Sequence, residues 1–345
     1  MDNEIIAKAP GVIKLLGEHA VVYGKLCLAV AIKKYATVRI ERTQSKGVEF
    51  DFLSLPGYKP RHELSLQEIE SIYKDFASRN SINEFIEKRK GIDPVVLPYA
   101  AIIGDMHANH GIEINGIRII ISSDIPPQQG LASSAACCTA LAVAVSRLSQ
   151  SKIPAETLIE IARNGEKIIH ANENAGRIDV NTSFYGNCVG YSAEKGVMIN
   201  RLKSEIPLLL IDTGPKKKTS EMVVHVSQLY KEKKDEVDAI MASIDDCSVR
   251  GLDCIKKGNL PGLGSLMYED QELLRLLGVS SDGIDKAVEI AKNNGAYGAK
   301  LSGGGGGGIA IAMTENKARL SDALARAGFR VFDTGISLDG AANYA

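Results

Sequence analysis

Three stretches of the chain combine residue types that can do chemistry. In QGLASSAACC, Gly130 is followed by Ser133 and Ser134 at the start of an alanine-rich run. If that run is a helix, its first turn offers backbone N–H groups without intrahelical partners, and the macrodipole adds partial positive charge. Gly130 permits close approach of an anion, and the serine hydroxyls suit phosphate or magnesium. Read alone, the same residues also describe a serine-capped, tightly packed helix. The second stretch, Gly303–Gly308, lies between the apolar segments AKLS and IAIAM. A flexible linker is one reading, and a glycine turn between strands that approaches a ligand is the other. The third is GEKIIHANENAGRID, with Glu166 and Asp179. At helical spacing Glu166 shares a face with Ala162 and Ile169, so it is paired or coordinating something. Asp179 follows a glycine-containing turn and precedes an expected strand, a place suited to a fixed catalytic carboxylate. Each acid alone also has an ordinary structural reading, but two phosphate-type loops in the same chain favour chemistry.

These groups need elements to hold them. IIAKAPGVIKLLG and LAVAIKKYATVRIER alternate and carry β-branched residues, which predicts two strands around the turn GEHAVVYG. Residues 66–91 read as exposed helices, GIRIIISSDIPP as a strand, residues 132–149 as a helix, and PAETLIEIARNGEKIIHANE as another helix begun by proline. SFYGNCVGYSA reads as a strand. In the second half, IPLLLIDTG and FRVFDTGI read as strands and residues 219–233, 236–257, 282–294 and 315–327 as helices. Strands and helices mix without a regular βαβ repeat, so the class is α+β, with two domains expected over 1–195 and 196–345.

A chain of 345 residues exceeds what one core usually serves, which supports that division. The formal net charge of −1 gives no electrostatic ground for nucleic acid or an anionic membrane as partner. No apolar run approaches the ~20 residues of a membrane span. The beginning, MDNEIIAKAPG, does not read as a signal peptide. The six cysteines show no CxxC spacing, and Cys137 and Cys138 sit together in an apolar run, as buried thiols do. A reduced, cytoplasmic protein with a small-molecule partner is expected, and a homodimer is kept open.

Taken together, KAPGVIKLLGEHAVVYG, PPQQGLASSAA and KLSGGGGGGIAIAM resemble the three ordered motifs of the GHMP small-molecule kinases. Within that family, GEHAVVYG and IDTGPKKKTSEMV are most similar to the mevalonate kinases. The resemblance implies an N-terminal domain like ribosomal protein S5 and a ferredoxin-like C-terminal domain, with ATP and substrate between them. It implies Mg2+- and ATP-dependent phosphorylation of a small alcohol, mevalonate or a close relative. Carried over residue by residue, it assigns the phosphate loop to Gly130, Leu131, Ala132, Ser133 and Ser134, magnesium to Ser134 and Glu166, and the base role to Asp179. Glu18 and His19 take substrate-side positions, and the glycine run, Gly303, Gly304 and Gly305 included, closes over the reacting groups. A sister kinase acting on a phosphomevalonate or on another alcohol or sugar, and a non-catalytic sensor of the same fold, are the alternatives.

The chain departs from this pattern in two places. The lysine that typically follows A-P-G is replaced by Val12, and Lys14 lies two residues on. On a strand Lys14 keeps the same face, about 7 Å further along, which makes it the candidate partner of Asp179. Between His170 and Asp179 the segment HANENAGRID is longer than H-G-N-P-S-G-x-D, placing Arg177 beside the expected substrate pocket as a candidate contact for an anionic group. After LLLIDTG, the Lys216–Lys218 run is either a solvated turn or brings Thr219 or a lysine to substrate or phosphate.

Overall fold

The computed structural model describes residues 4–53, 60–126, 129–149, 152–202, 205–215 and 219–344, with only the backbone of 219, 220 and 344. The first sheet is built on two long strands, β1 (Glu4–Leu16) and β2 (Cys27–Arg42), paired antiparallel through nearly their whole length. β2 has residues to spare on its other edge and divides it. Ala36–Arg42 pair with β5 (Ile117–Ser123), while Cys27–Val30 pair with β6 (Cys188–Ser192). With β3 (Gly47–Phe52), β4 (Arg61–Ser65) and β7 (Gly196–Asn200), the order is β4-β3-β5-β2-β6-β7, and only β3 and β5 run parallel.

Helices α1 (Leu66–Ala77), α2 (Ile82–Lys88), α3 (Leu97–His110), α4 (Ser133–Ser146), α5 (Ala155–His170) and α6 (Arg177–Tyr185) accompany this sheet. α1 and α2 are the helices expected over 66–91, but they are amphipathic rather than merely exposed. Ser65 and Glu68 form a reciprocal capping box at the start of α1, whose Ile69, Ile72 and Phe76 are buried. The strand expected over SFYGNCVGYSA begins only at Cys188; its first residues close α6, which ends at Gly186 (φ 72°). A Cβ at Gly186 would collide with the backbone of Asp339 and Gly340.

The second sheet holds β8 (Leu208–Asp212), β9 (Gly298–Leu301), β10 (Ile309–Met313) and β11 (Arg330–Thr334) in the antiparallel order β11-β8-β10-β9. Numbered within their own half these strands run 4-1-3-2, the ferredoxin-like arrangement the resemblance implied. Helices α7 (Thr219–Glu232), α8 (Lys234–Lys257), α9 (Leu260–Leu276), α10 (Asp282–Asn293) and α11 (Lys317–Arg326) complete this half. β7 pairs with β6, so the sheets separate between Asn200 and Leu208, somewhat downstream of the division expected at 195/196.

β8 and β10 are buried on both faces, which is why they read as continuous apolar runs. Leu208, Leu210, Ile309, Ile311 and Met313 join the core beneath the first sheet. The alternate residues Leu209, Ile211, Ala310 and Ala312 pack instead with α8, α10 and α11. Among the described residues, no helix is long and apolar enough to cross a membrane.

Candidate active site

α4 is buried from Ala135 to Val145, and its small side chains let it lie close against β1 and β2. The chain enters it through Gly130 (φ 80°) and, after Leu131, Ala132 (φ 54°), both in left-handed backbone that only glycine adopts without cost. Among the described residues no side chain caps the first turn of α4, so Ser133 and Ser134 are not the capping serines of the packed-helix reading. The turn is fixed instead by Leu131, whose carbonyl accepts the Val12 amide at 3.0 Å, and Ser133 Oγ lies 3.4 Å from Ser123 Oγ. An uncapped, rigidly held N-terminus is what an anion requires. Gln128 lies outside the described residues.

The glycine run is a folded turn and not a linker. Gly303, Gly305, Gly306, Gly307 and Gly308 all have positive φ. A side chain at Gly305 would strike the Val279 carbonyl, which already accepts the Gly306 amide at 2.8 Å. A Cβ on Gly303 would stand 3.6 Å from the Gly130 carbonyl, so the two glycine segments face each other.

Lys14 and Asp179 meet between them. Lys14 Nζ donates to Asp179 Oδ1 at 2.6 Å, with the side chains 16% and 22% exposed. Burial works against the ammonium charge, but the Asp179 carboxylate overcomes it and raises the lysine above its ordinary value. Val12, the position the lysine usually takes, is wholly buried against Cys27, Ala29 and Ile178. Ser302 brackets Lys14 from the second half: its hydroxyl accepts the Lys14 amide at 3.0 Å and donates to the Lys14 carbonyl at 3.3 Å. Asp179 sits in the first turn of α6, where the helix dipole favours a carboxylate, and not before a strand as expected. Ser183 Oγ anchors this helix on the Pro10 carbonyl at 2.7 Å.

Glu166 on α5 is 2% exposed, buried with Ala162, whereas Ile169, expected on the same face, is 39% exposed. Gly176 lets α6 approach it: φ is 76°, and a Cβ there would lie 2.9 Å from Glu166 Cβ. Glu166 Oε2 is 3.5 Å from His170 Nε2, while Oε1 is buried without a hydrogen-bond partner. An unpartnered buried carboxylate oxygen suits a hard cation. Among the described residues no group of three or more His, Cys, Asp or Glu can hold a metal unaided. The single unpartnered oxygen of Glu166 fits Mg2+, which takes one or two protein oxygens and completes its shell with water and phosphate.

The other expected contacts divide. His19, with φ 60°, presents Nε2 to the Gly304 carbonyl at 3.0 Å, and burial keeps its imidazole below the usual range, so it donates as a neutral ring. Glu18 is 3% exposed and its Oε1 is taken by Lys300, so it lies beneath the site rather than open to it. Arg177 begins α6 and donates to the Tyr191 hydroxyl at 3.3 Å. The longer segment before it is pinned by Arg79, whose guanidinium takes both oxygens of Glu173 at 3.3 and 3.0 Å. Thr219 starts α7, its side chain is not among the described ones, and Lys216–Lys218 lie outside the described residues. Sequence reasoning missed Ser302, Lys300 and Asp270, which carry no local signal of their own.

Comparison with known proteins agrees with this geometry. The GHMP kinases N terminal domain matches residues 97–187 and the GHMP kinases C terminal domain residues 252–331. The chain is 32% identical to a mevalonate kinase of Aeropyrum pernix, over 89% of this chain and 87% of that one. It is 30% identical to a mevalonate kinase of Pyrococcus furiosus, over 98% and 97%. The crystal structure of the Methanococcus jannaschii mevalonate kinase superposes with a TM-score of 0.79 at 27% identity, covering 97% of this chain and 99% of that one. With both family domains in order and relatives of this identity matched along most of their length, the chain belongs to the GHMP kinase family, on the branch that carries the mevalonate kinases.

Proposed function

We propose that the chain transfers the γ-phosphoryl group of ATP to the alcohol of mevalonate, giving 5-phosphomevalonate and ADP. The observation that carries this reading is the 2.6 Å Lys14–Asp179 pair set between an uncapped helix N-terminus and a glycine turn. Phosphoryl transfer asks the protein mainly to position and to neutralise charge. The first-turn amides of α4 and the Ser133 hydroxyl bind phosphate oxygens. Glu166, with its unpartnered oxygen, and Ser134 would hold Mg2+, which would neutralise charge on the phosphates. Asp179 orients the alcohol and takes its proton as the alcohol oxygen bonds to phosphorus and the bond to ADP breaks. Lys14, ion-paired with Asp179, faces the charge that develops. The six free cysteines, all but Cys254 buried, suit the reducing cytoplasm proposed as the compartment.

A coupled ADP-release screen over mevalonate, its phosphates and simple sugars tests the reading. Turnover with mevalonate at least ten-fold above every other alcohol is expected; preference for another acceptor overturns the substrate assignment. A phosphorylated mevalonate is the second reading, favoured by Arg177, a cation two residues from Asp179 at the rim of the site. Arg177→Ala should then weaken the acceptor's KM and leave the KM for ATP unchanged; unchanged acceptor affinity removes this reading.

A further inference from the structure

The catalytic scheme leaves three buried charges unused. Lys300 on β9 is completely buried; its Nζ donates to Glu18 Oε1 and, at 2.6 Å, to the Leu301 carbonyl. It stands 3.5 Å from Oδ2 of Asp270 on α9, which is also completely buried. Both oxygens of Asp270 and Oε2 of Glu18 lack hydrogen-bond partners. One cation facing two carboxylates away from water is an expensive arrangement, and replacing such groups by apolar ones is often neutral or stabilising. Stability is therefore a poor explanation for it.

Its place in the chain suggests another. Glu18 precedes His19, whose ring reaches the Gly304 carbonyl, and Lys300 lies two residues before Ser302, whose hydroxyl brackets Lys14. Three ties thus run from the first motif to β9 and the glycine turn that follows it, and the Lys300 tie also engages α9. Gln271, the next residue of α9, accepts the Leu301 amide at 2.9 Å and holds the same strand. We propose that Lys300 is a positioning residue: clamped between Glu18 and Asp270, it sets the His19 turn against Gly303–Gly308 and so fixes the geometry of Lys14 and Asp179. It touches no reacting atom and acts through its neighbours. Burial pushes the Asp270 carboxyl up to about 7, with Lys300 opposing and Glu18 reinforcing.

This rests on the kinase reading, and its test is arranged to be separable from it. Lys300→Met alone strands two carboxylates, so the variant to use is Lys300→Met with Glu18→Gln, assayed well below its own unfolding midpoint. Hydrogen exchange followed by mass spectrometry should show segments 17–24 and 300–309 exchanging together at least ten-fold faster than in the parent; unchanged protection overturns the proposal whether or not the substrate is known. With the accepted alcohol, kcat should fall at least ten-fold while the KM for ATP stays within about three-fold. Adding His19→Ala should then cost less than a further three-fold, although His19→Ala alone costs ten-fold or more. A kcat within three-fold of the parent, or losses that multiply, refutes the coupling. If the double variant does not fold, Asp270→Asn, which weakens only the 3.5 Å contact, carries the same test at two- to five-fold in kcat, and additivity with His19→Ala again refutes it.

Discussion

Replacing Asp179 by Asn removes the proton acceptor while keeping an oxygen against Lys14, so the variant should remain folded and bind ATP like the parent. General-base catalysis contributes about 10²- to 10⁴-fold, and at about 1.4 kcal/mol per decade this is roughly 3–5.5 kcal/mol of barrier. The structure adds a second effect of the same change. Lys14 is held above its ordinary value by Asp179 against the pull of burial. Without that carboxylate burial prevails, the lysine loses its proton more easily, and the alkaline limb of the rate profile moves to lower pH. The assay is kcat by coupled ADP release across pH, with ATP affinity by calorimetry. Because the 2.6 Å pair works as a unit, Lys14→Met combined with Asp179→Asn should be no more than a few-fold slower than the slower single variant. Turnover within ten-fold of the parent, or losses that multiply in the double variant, would show that the pair is not the catalytic unit.

Four further outcomes are expected. Gly176→Ala places a Cβ 2.9 Å from Glu166 Cβ at φ 76°, so urea unfolding should show a loss of about 2–3 kcal/mol with the slope unchanged. Glu166→Gln should raise the Mg2+ concentration for half-maximal activity at least ten-fold, while nucleotide binding without metal is unaffected. Arg79→Ala frees Glu173 and should raise the acceptor KM with little change in kcat; a pure loss of stability with unchanged KM would count against pinning of that segment. Asp270, at about 7 in the fold and near 3.8 when unfolded, holds its proton more tightly in the native state. Its contribution to stability is present below pH 4 and lost as pH rises through 7. Compared with Asp270→Asn, the parent should lose a few kcal/mol over that window in urea titrations.

Much of the site was legible because its chemistry needs rare local patterns. Gly130 with the serines after it and the glycine run each left a bland reading open, and they pointed to close backbone approach because they stand in one chain with Glu166 and Asp179. Of the helices that the sequence reading did not name, α3 and α6 have no dry and wet side, whereas α9 has both. α3 is buried at every residue from Leu97 to Met106, so no 3.6-residue period marks it. α6 ends in Phe184 and Tyr185, residues at home in strands, and packing against β1 overrides that preference. Glu166 was found through its apolar neighbours, yet Ile169 turned out exposed: it points the same way as the buried Leu158 and Ala162 but lies next to the last residue of α5. Lys300 and Asp270 drew no notice in the sequence, since only the closing of β9 and α9 over β1 brings the two buried charges together.

The alternation along β8 and β10 has a consequence for the integrity of the molecule. Leu208, Leu210, Ile309, Ile311 and Met313 complete the core of the first sheet, so neither half ends in a surface that water tolerates. A gene cut between Asn200 and Leu208 would yield two fragments, each baring an oily face, insoluble when made apart and recoverable only when made together. Among the described residues the two halves share one apolar interior across β8 and β10, so each is a wall of the other's core.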